Sequence, residues 1–457
     1  SNSQLLMQKS GHVGVLPRER LQFFMLQCIS SKRLNPSHKL GAPIIQIIKS
    51  VAFYSLIVAI IFTYIYTLNF YAIPINSVFI LSTIVYLLFF IFCSWKGVNS
   101  VVYEGIPFFI PSVINLGYCS ISFLVQNSLD VTLINNTIFV FYCGLSIWFL
   151  MIFLRNYNIN REKILFLIAL TIFFQGIFIT LNHSFPIFRW AIDSLLPIGG
   201  NFEHDPSALL LRSRGLSNSP GAHLSVVQAI GLLISCFFFS RANNFKRVAF
   251  WIFVISILVV SIFLSGRTGI LVMPLCVVFL SLLNFSSFKR FISLLSKLSL
   301  LVFALVVIVA ITIFAYLSFE SFDTLSLTLD WIARPFISDS SLPDNANIWH
   351  ILGRFVIFPV HESQFVWGNV DLYGSINKLT DLGYIRNLFG LGLVGASVFY
   401  LGYLFLFFAL IYKSQHLDEK IFFIFLSFWI IIVEVKEPFL RGLGLNSIIF
   451  FLIFSRK

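Results

Sequence analysis

The chain has 457 residues, 58% of them hydrophobic and 11% charged, with a mean hydropathy of +0.91. Soluble domains carry about 25% charged residues, so this composition excludes a string of ordinary soluble domains. The net charge of +12 could suggest nucleic acid, but its distribution follows membrane topology instead.

Repeated apolar runs of about 18–22 residues predict an all-α polytopic integral membrane protein with about twelve transmembrane helices. The basic segment 1–46 is expected to be cytoplasmic, and it runs into a full-length span rather than a cleavable leader. A first group of spans (residues 47–181) covers 47–68, 76–94, 105–126, 136–154 and 164–181. The polar stretch 182–221 is the first large outward loop, expected to be periplasmic. A second group (222–317) covers 222–240, 248–264, 269–286 and 298–317. The large loop 318–386 is again outward, and the last group (387–457) covers 387–412, 421–434 and 441–455. Cys28, Cys93, Cys119, Cys143, Cys236 and Cys276 all lie in or beside apolar runs, with no CxxC, which argues against a disulfide framework or a zinc site.

With the N-terminus inside, the basic loops RNYNINREK (155–163), SRANNFKR (240–247), FKRFISLLSK (288–297) and KSQHLDEK (413–420) all face the cytoplasm. Of the Lys and Arg residues, 21 fall inside and 10 outside, in line with the positive-inside rule. Eight of the ten outward residues are Arg (189, 212, 214, 267, 334, 354, 386, 441), whereas inside Lys outnumbers Arg by 12 to 9. Topology treats the two alike; a planar fork that binds phosphate bidentately would explain the bias. The alternative is pairing with the 14 outward acids.

Three outward stretches carry candidate chemistry. In LLRSRGLSNSPGAHL (210–224), Arg212 and Arg214 precede a turn at Gly215 and Pro220–Gly221. The helix beginning near residue 221 offers free N–H groups to an anion; interfacial snorkelling of the arginines is the alternative. In LSGRTGIL (264–271), Arg267 sits among apolar residues with no acid nearby in sequence, at a helix end on the outer side. The large loop holds Arg354 in an apolar, amphipathic-looking stretch, an adjacent His361–Glu362 pair that could act as acid or base, and LTDLGYIRNLFGLGLVG (379–395). There Asp381 is either a helix cap or a carboxylate poised at the membrane boundary to take a proton. No HExxH, P-loop, GxSxG or DxD-type signature appears on an outer loop, and neither metal nor cofactor is expected.

Together these stretches resemble the Wzy-type O-antigen polymerase family and the related O-antigen ligases. The resemblance rests on Arg214–Gly215 before a span, Ser265–Gly266–Arg267–Thr268–Gly269 between two spans, and the 318–386 loop ending in Thr380-Asp381-Leu382-Gly383-Tyr384. It covers the later half of the chain. LSNSP departs from the tighter Asn-Pro form of many relatives, so Asn218 receives no role.

What the resemblance implies is a GT-C-like, metal-independent glycosyltransferase of lipopolysaccharide biosynthesis in the bacterial inner membrane. It would polymerise undecaprenyl-diphosphate-linked oligosaccharide repeats at the periplasmic face, in contact with membrane lipids and a chain-length regulator, and with no nucleic acid. Arg212, Arg214, Arg267, Arg354, Tyr384 and Arg386 would hold the diphosphate and substrate, and Asp381 or His361 would accept the proton. Ligases place a His near the end of this loop; Asp381 there favours the polymerase. The rival from another class is a transporter or flippase for a lipid-linked glycan, but no internal repeat is visible and the polar residues concentrate on one side.

Overall fold

The computed structural model describes residues 41–71, 75–96, 106–126, 131–155, 157, 159–197, 212–217, 221–266, 268–284, 292, 296–304, 306–307, 310, 359, 361–370 and 382–455. Among these the regular structure is helical, with no strand. A bilayer core demands this, because each backbone polar group must be satisfied within its own segment or by another part of the protein.

Helices α1 (Gly41–Tyr66), α2 (Ser77–Lys96), α3 (Ile106–Gln126), α4 (Thr132–Arg155) and α5 (Arg161–Ser184) are followed by a short amphipathic α6 (Pro186–Leu195). Then come α7 (Ala222–Arg241), α8 (Phe245–Ser265), a 3-10 turn Thr268–Leu271 and α9 (Val272–Asn284). The C-terminal part holds α10 (Glu362–Trp367), α11 (Gly383–Tyr412), α12 (Leu417–Val433), a 3-10 turn Phe439–Arg441 and α13 (Leu443–Phe454). Seven of these helices are long and apolar enough to cross a membrane, and three shorter apolar helices accompany them. The chain is thus a helical, multi-pass membrane protein. It forms two compact units, Ser1–Ile57 and Val58–Lys457; the second contains every element discussed below.

Polar residues at the predicted loops set the helix starts. The Asn160 side chain accepts from Lys163 N (3.0 Å) at the start of α5, and Asn244 accepts from Lys246 N (3.1 Å) at the start of α8. Within the second unit α7 is central: 83% of its apolar window is buried, against 11% for the α3 window. It packs against α8, α5 and α9, while α3 lies against α11 and α4.

Helix α11 departs from the uninterrupted span that residues 387–412 predict. Gly392 adopts φ 66° and ψ 178°, a conformation open to glycine, and breaks the helix into two halves. Thirteen residues of straight helix would separate Asn387 from Tyr400 by about 20 Å. Instead Asn387 Nδ2 donates to the Tyr400 hydroxyl at 2.6 Å, so the halves fold against each other. The carbonyls released at the break are all taken up: Phe389 O by Asn369 N (2.9 Å), Gly390 O by Val370 N (3.0 Å) and Leu391 O by the Tyr118 hydroxyl (2.8 Å). The second half alone, at about 1.5 Å per residue, has the length of a bilayer core.

Candidate functional site

The two Arg-bearing turns that the sequence singles out lie against each other. Ser213 N donates to Leu264 O (2.8 Å), Gly221 N to Ser265 O (3.1 Å) and Gly269 N to the Ser225 hydroxyl (3.1 Å). A Cβ on Gly269 would collide with the Ser225 carbonyl, so glycine here is what lets the 265–269 turn approach the first turn of α7. The 212–217 segment is anchored from α5 as well: Gln175 Nε2 donates to Arg214 O (2.9 Å), and Ser213 Oγ donates to Ile179 O (2.8 Å).

Arg214 is buried and its fork is committed within the protein. Nη2 donates to Asp193 Oδ1 (2.6 Å) and to Leu196 O (2.9 Å), Nε donates to the same Asp193 oxygen (3.1 Å), and Nη1 donates to Pro197 O (2.8 Å). For this residue the acid-pairing alternative describes the arrangement, with α6 and the two residues that follow it supplying the acceptors. Arg212 is half-buried two residues earlier.

A third turn joins this junction through His223, in the first turn of α7. Its ring stacks on Phe439 at 6.1 Å between centroids, and a Cβ on Gly442 would strike it. Beside it lies a buried polar network. Glu434, fully buried, accepts from Asn387 Nδ2 (3.0 Å) and the Tyr400 hydroxyl (3.1 Å) on one oxygen and from Leu440 N (2.9 Å) on the other. Arg441 Nε donates to Asn387 Oδ1, and its guanidinium lies 4.7 Å from the Phe399 ring centroid. A buried carboxylate and a buried guanidinium are thereby joined through one amide. The Tyr403 hydroxyl, which donates to Leu440 O (2.8 Å) and also bonds Asn446, fixes the turn itself.

Of the remaining predicted site residues, Tyr384 and Arg386 lie on the folded-back half of α11. The Tyr384 hydroxyl donates to Ile431 O (2.8 Å), and Arg386 is buried. His361 is exposed at the start of α10, whose following residues 369–370 bond the α11 break. Arg267, Arg354 and Asp381 lie outside the described residues. Among the described residues no group of three or more His, Cys, Asp or Glu is placed to hold a metal.

Sequence reading missed Glu434, Asn387 and the pairing role of Asp193. The available signal was the acid that ends the apolar run WIIIVE (429–434), since a carboxylate there must find donors when buried. No protein-family model, curated protein or solved structure matches the chain.

Proposed function

We propose that the chain is a membrane glycosyltransferase that polymerises undecaprenyl-diphosphate-linked oligosaccharide repeats at the periplasmic face of a bacterial inner membrane. In this reading the chain has about twelve spans and a GT-C-like arrangement. The observation that supports it best is that the 212–225 and 264–269 stretches meet at the start of α7, through Ser213 N to Leu264 O, Gly221 N to Ser265 O and Gly269 N to the Ser225 hydroxyl. Those are two of the stretches carrying the resemblance, far apart in sequence and adjacent in the fold.

The acceptor sugar hydroxyl attacks the anomeric carbon of the lipid-linked chain. The new glycosidic C–O bond forms as the bond to the diphosphate breaks, and undecaprenyl diphosphate leaves with the electron pair. Asp381 takes the hydroxyl proton. Arg267 and Arg354, with Arg212 and Arg386, balance the charge on the leaving diphosphate, and Tyr384, whose hydroxyl donates to Ile431 O, positions the start of α11. Arg214, whose fork is occupied by Asp193, holds the turn that presents its neighbours. A second reading, the ligase, assigns the base to His361, favoured by its exposure on an element tied to the α11 break.

The test is a reconstitution in proteoliposomes with one defined lipid-linked repeat. A ladder of longer lipid-linked glycans supports the polymerase, with Arg267→Ala slowing it by roughly ten- to a hundredfold. Transfer of the glycan only to a second lipid acceptor identifies the ligase. Movement of intact repeats across the bilayer without any new glycosidic bond overturns both.

A further inference from the structure

A cavity of about 50 Å³ lies between α3, α4, α11 and the turn that carries Arg441. Its polar lining comprises Ser112, Asn115, Asn136, Thr137, Tyr403 and Arg441, and Arg441 is the one ionisable group with a fixed charge among the lining residues. That residue is more than nine-tenths buried, at 7% exposure. Nε is bonded to Asn387, and the Phe399 ring covers the guanidinium; Nη2 is buried with no hydrogen-bond partner among the described residues. A buried guanidinium N–H without an acceptor is costly. The neighbouring acid does not relieve it: Glu434 is joined to Arg441 through Asn387 and does not accept from Nη2.

Size and chemistry narrow the occupant. About 50 Å³, at some 10–15 Å³ per water-sized site, has room for about four small atoms. That is the scale of one phosphate group. The lining offers one fixed positive charge and several neutral amide and hydroxyl donors, with no carboxylate. Ser112, Asn115 and Asn136 are half-buried, so the cavity is not sealed. Beside them on the same helices stand exposed Ile114 (52%), Ile138 (47%), Leu401 (63%) and Phe405 (46%). In a membrane protein such apolar positions face acyl chains.

We propose that this cavity binds a single phosphate group through Arg441, reached from the apolar face of α3, α4 and α11. The phosphate is carried on a lipid headgroup or is free inorganic phosphate. The site is separate from the junction of the 212–217 and 265–269 turns and does not depend on the glycosyltransferase reading.

The test uses the full chain purified in detergent and stripped of lipid. In one arm, native mass spectrometry reads the retention of added dioleoylphosphatidic acid against dioleoylglycerol, which has the same chains and no phosphate. In the other, inorganic phosphate is added and thermal stability is followed, with chloride at equal ionic strength as control. Retention of the phosphatidic acid but not the diacylglycerol supports a lipid-borne phosphate; stabilisation by inorganic phosphate alone supports the free ion. In either case Arg441→Gln lowers affinity tenfold or more, the scale of a lost charged hydrogen bond. Asn136→Leu, on the half-buried rim and outside the Glu434 network, weakens binding in a protein that folds normally, so that misfolding of the first variant does not mask the result. Equal retention of the two lipids with no phosphate effect overturns the proposal. So does phosphate binding that both variants leave unchanged.

Discussion

If Arg214 serves to fasten the 212–217 turn to α6, its effect must run through Asp193, and a double-mutant cycle measures that dependence. The Arg214 side chain is 3% exposed and that of Asp193 37%. Breaking a fully buried pair by removing one partner costs about 3–5 kcal/mol. The solvent reaching Asp193 screens the pair, which brings the expected coupling down to about 1–2 kcal/mol. Arg214→Ala also strips the Leu196 and Pro197 carbonyls of their donors, adding about 1 kcal/mol for each. The expectation is therefore a loss of about 3–4 kcal/mol for Arg214→Ala, about 1–2 kcal/mol for Asp193→Ala, and a double variant close to Arg214→Ala alone. Unfolding free energies of the four proteins in mixed micelles, titrated with SDS, provide the numbers. Additive losses, with Asp193→Ala harmless, would refute the pairing role and return Arg214 to the ligand.

Gly392→Ala should prevent correct assembly of the 366–392 contact, because φ is positive there and a Cβ would meet the backbone of Val366, Trp367 and Gly368. Gly117→Ala, with nothing within 4 Å of its Cβ, should be neutral or stabilise by about 0.5–1 kcal/mol; size-exclusion profiles and SDS titration of the two report the contrast. Glu434→Gln should destabilise by about 1–3 kcal/mol, since its NH2 must face either Leu440 N or the Asn387 and Tyr400 donors; unchanged SDS midpoints would show that the carboxylate is not needed as a double acceptor. Exposed Ser194→Cys and Gln415→Cys, placed in a background without native cysteines, should differ in labelling by an impermeant maleimide. The 21-to-10 split of basic residues has the first reacting in intact spheroplasts and the second only after lysis.

The helices were legible because long apolar runs leave the backbone few choices, and the caps at Asn160 and Asn244 fall inside the basic loops, where the next helices begin. The break in α11 was hidden. FGLGL (389–393) is as apolar as its surroundings, and only the fold supplies Tyr118, Asn369 and Val370 to satisfy the freed carbonyls. Adjacency of the 212–217 and 265–269 turns could be suspected from topology, which puts both on one side. Their hydrogen bonds run between residues about 40–50 positions apart, beyond any local pattern.

The outward preference for arginine has a cause besides phosphate. A guanidinium presents several N–H donors in one plane, and the connections at the ends of membrane helices leave carbonyls that need donors. Arg189 does this at the end of α5, with Nε donating to Asn182 O (3.2 Å) and Nη2 to His183 O (3.1 Å). Arg214 does it for Leu196 and Pro197 while also holding Asp193. Lysine, a point charge on a flexible stem, could not serve acceptors so spread without leaving some unpaired. A count of outward arginines therefore mixes fasteners with ligand-binding groups, and the separation comes from acceptors. Arg189 and Arg214 have theirs within the protein. Arg441 bonds Asn387, lines a cavity, and keeps Nη2 without an acceptor among the described residues. An arginine that lines open space of phosphate size and keeps an unpartnered donor is the one to test for an anion first, although no motif marks it in the sequence.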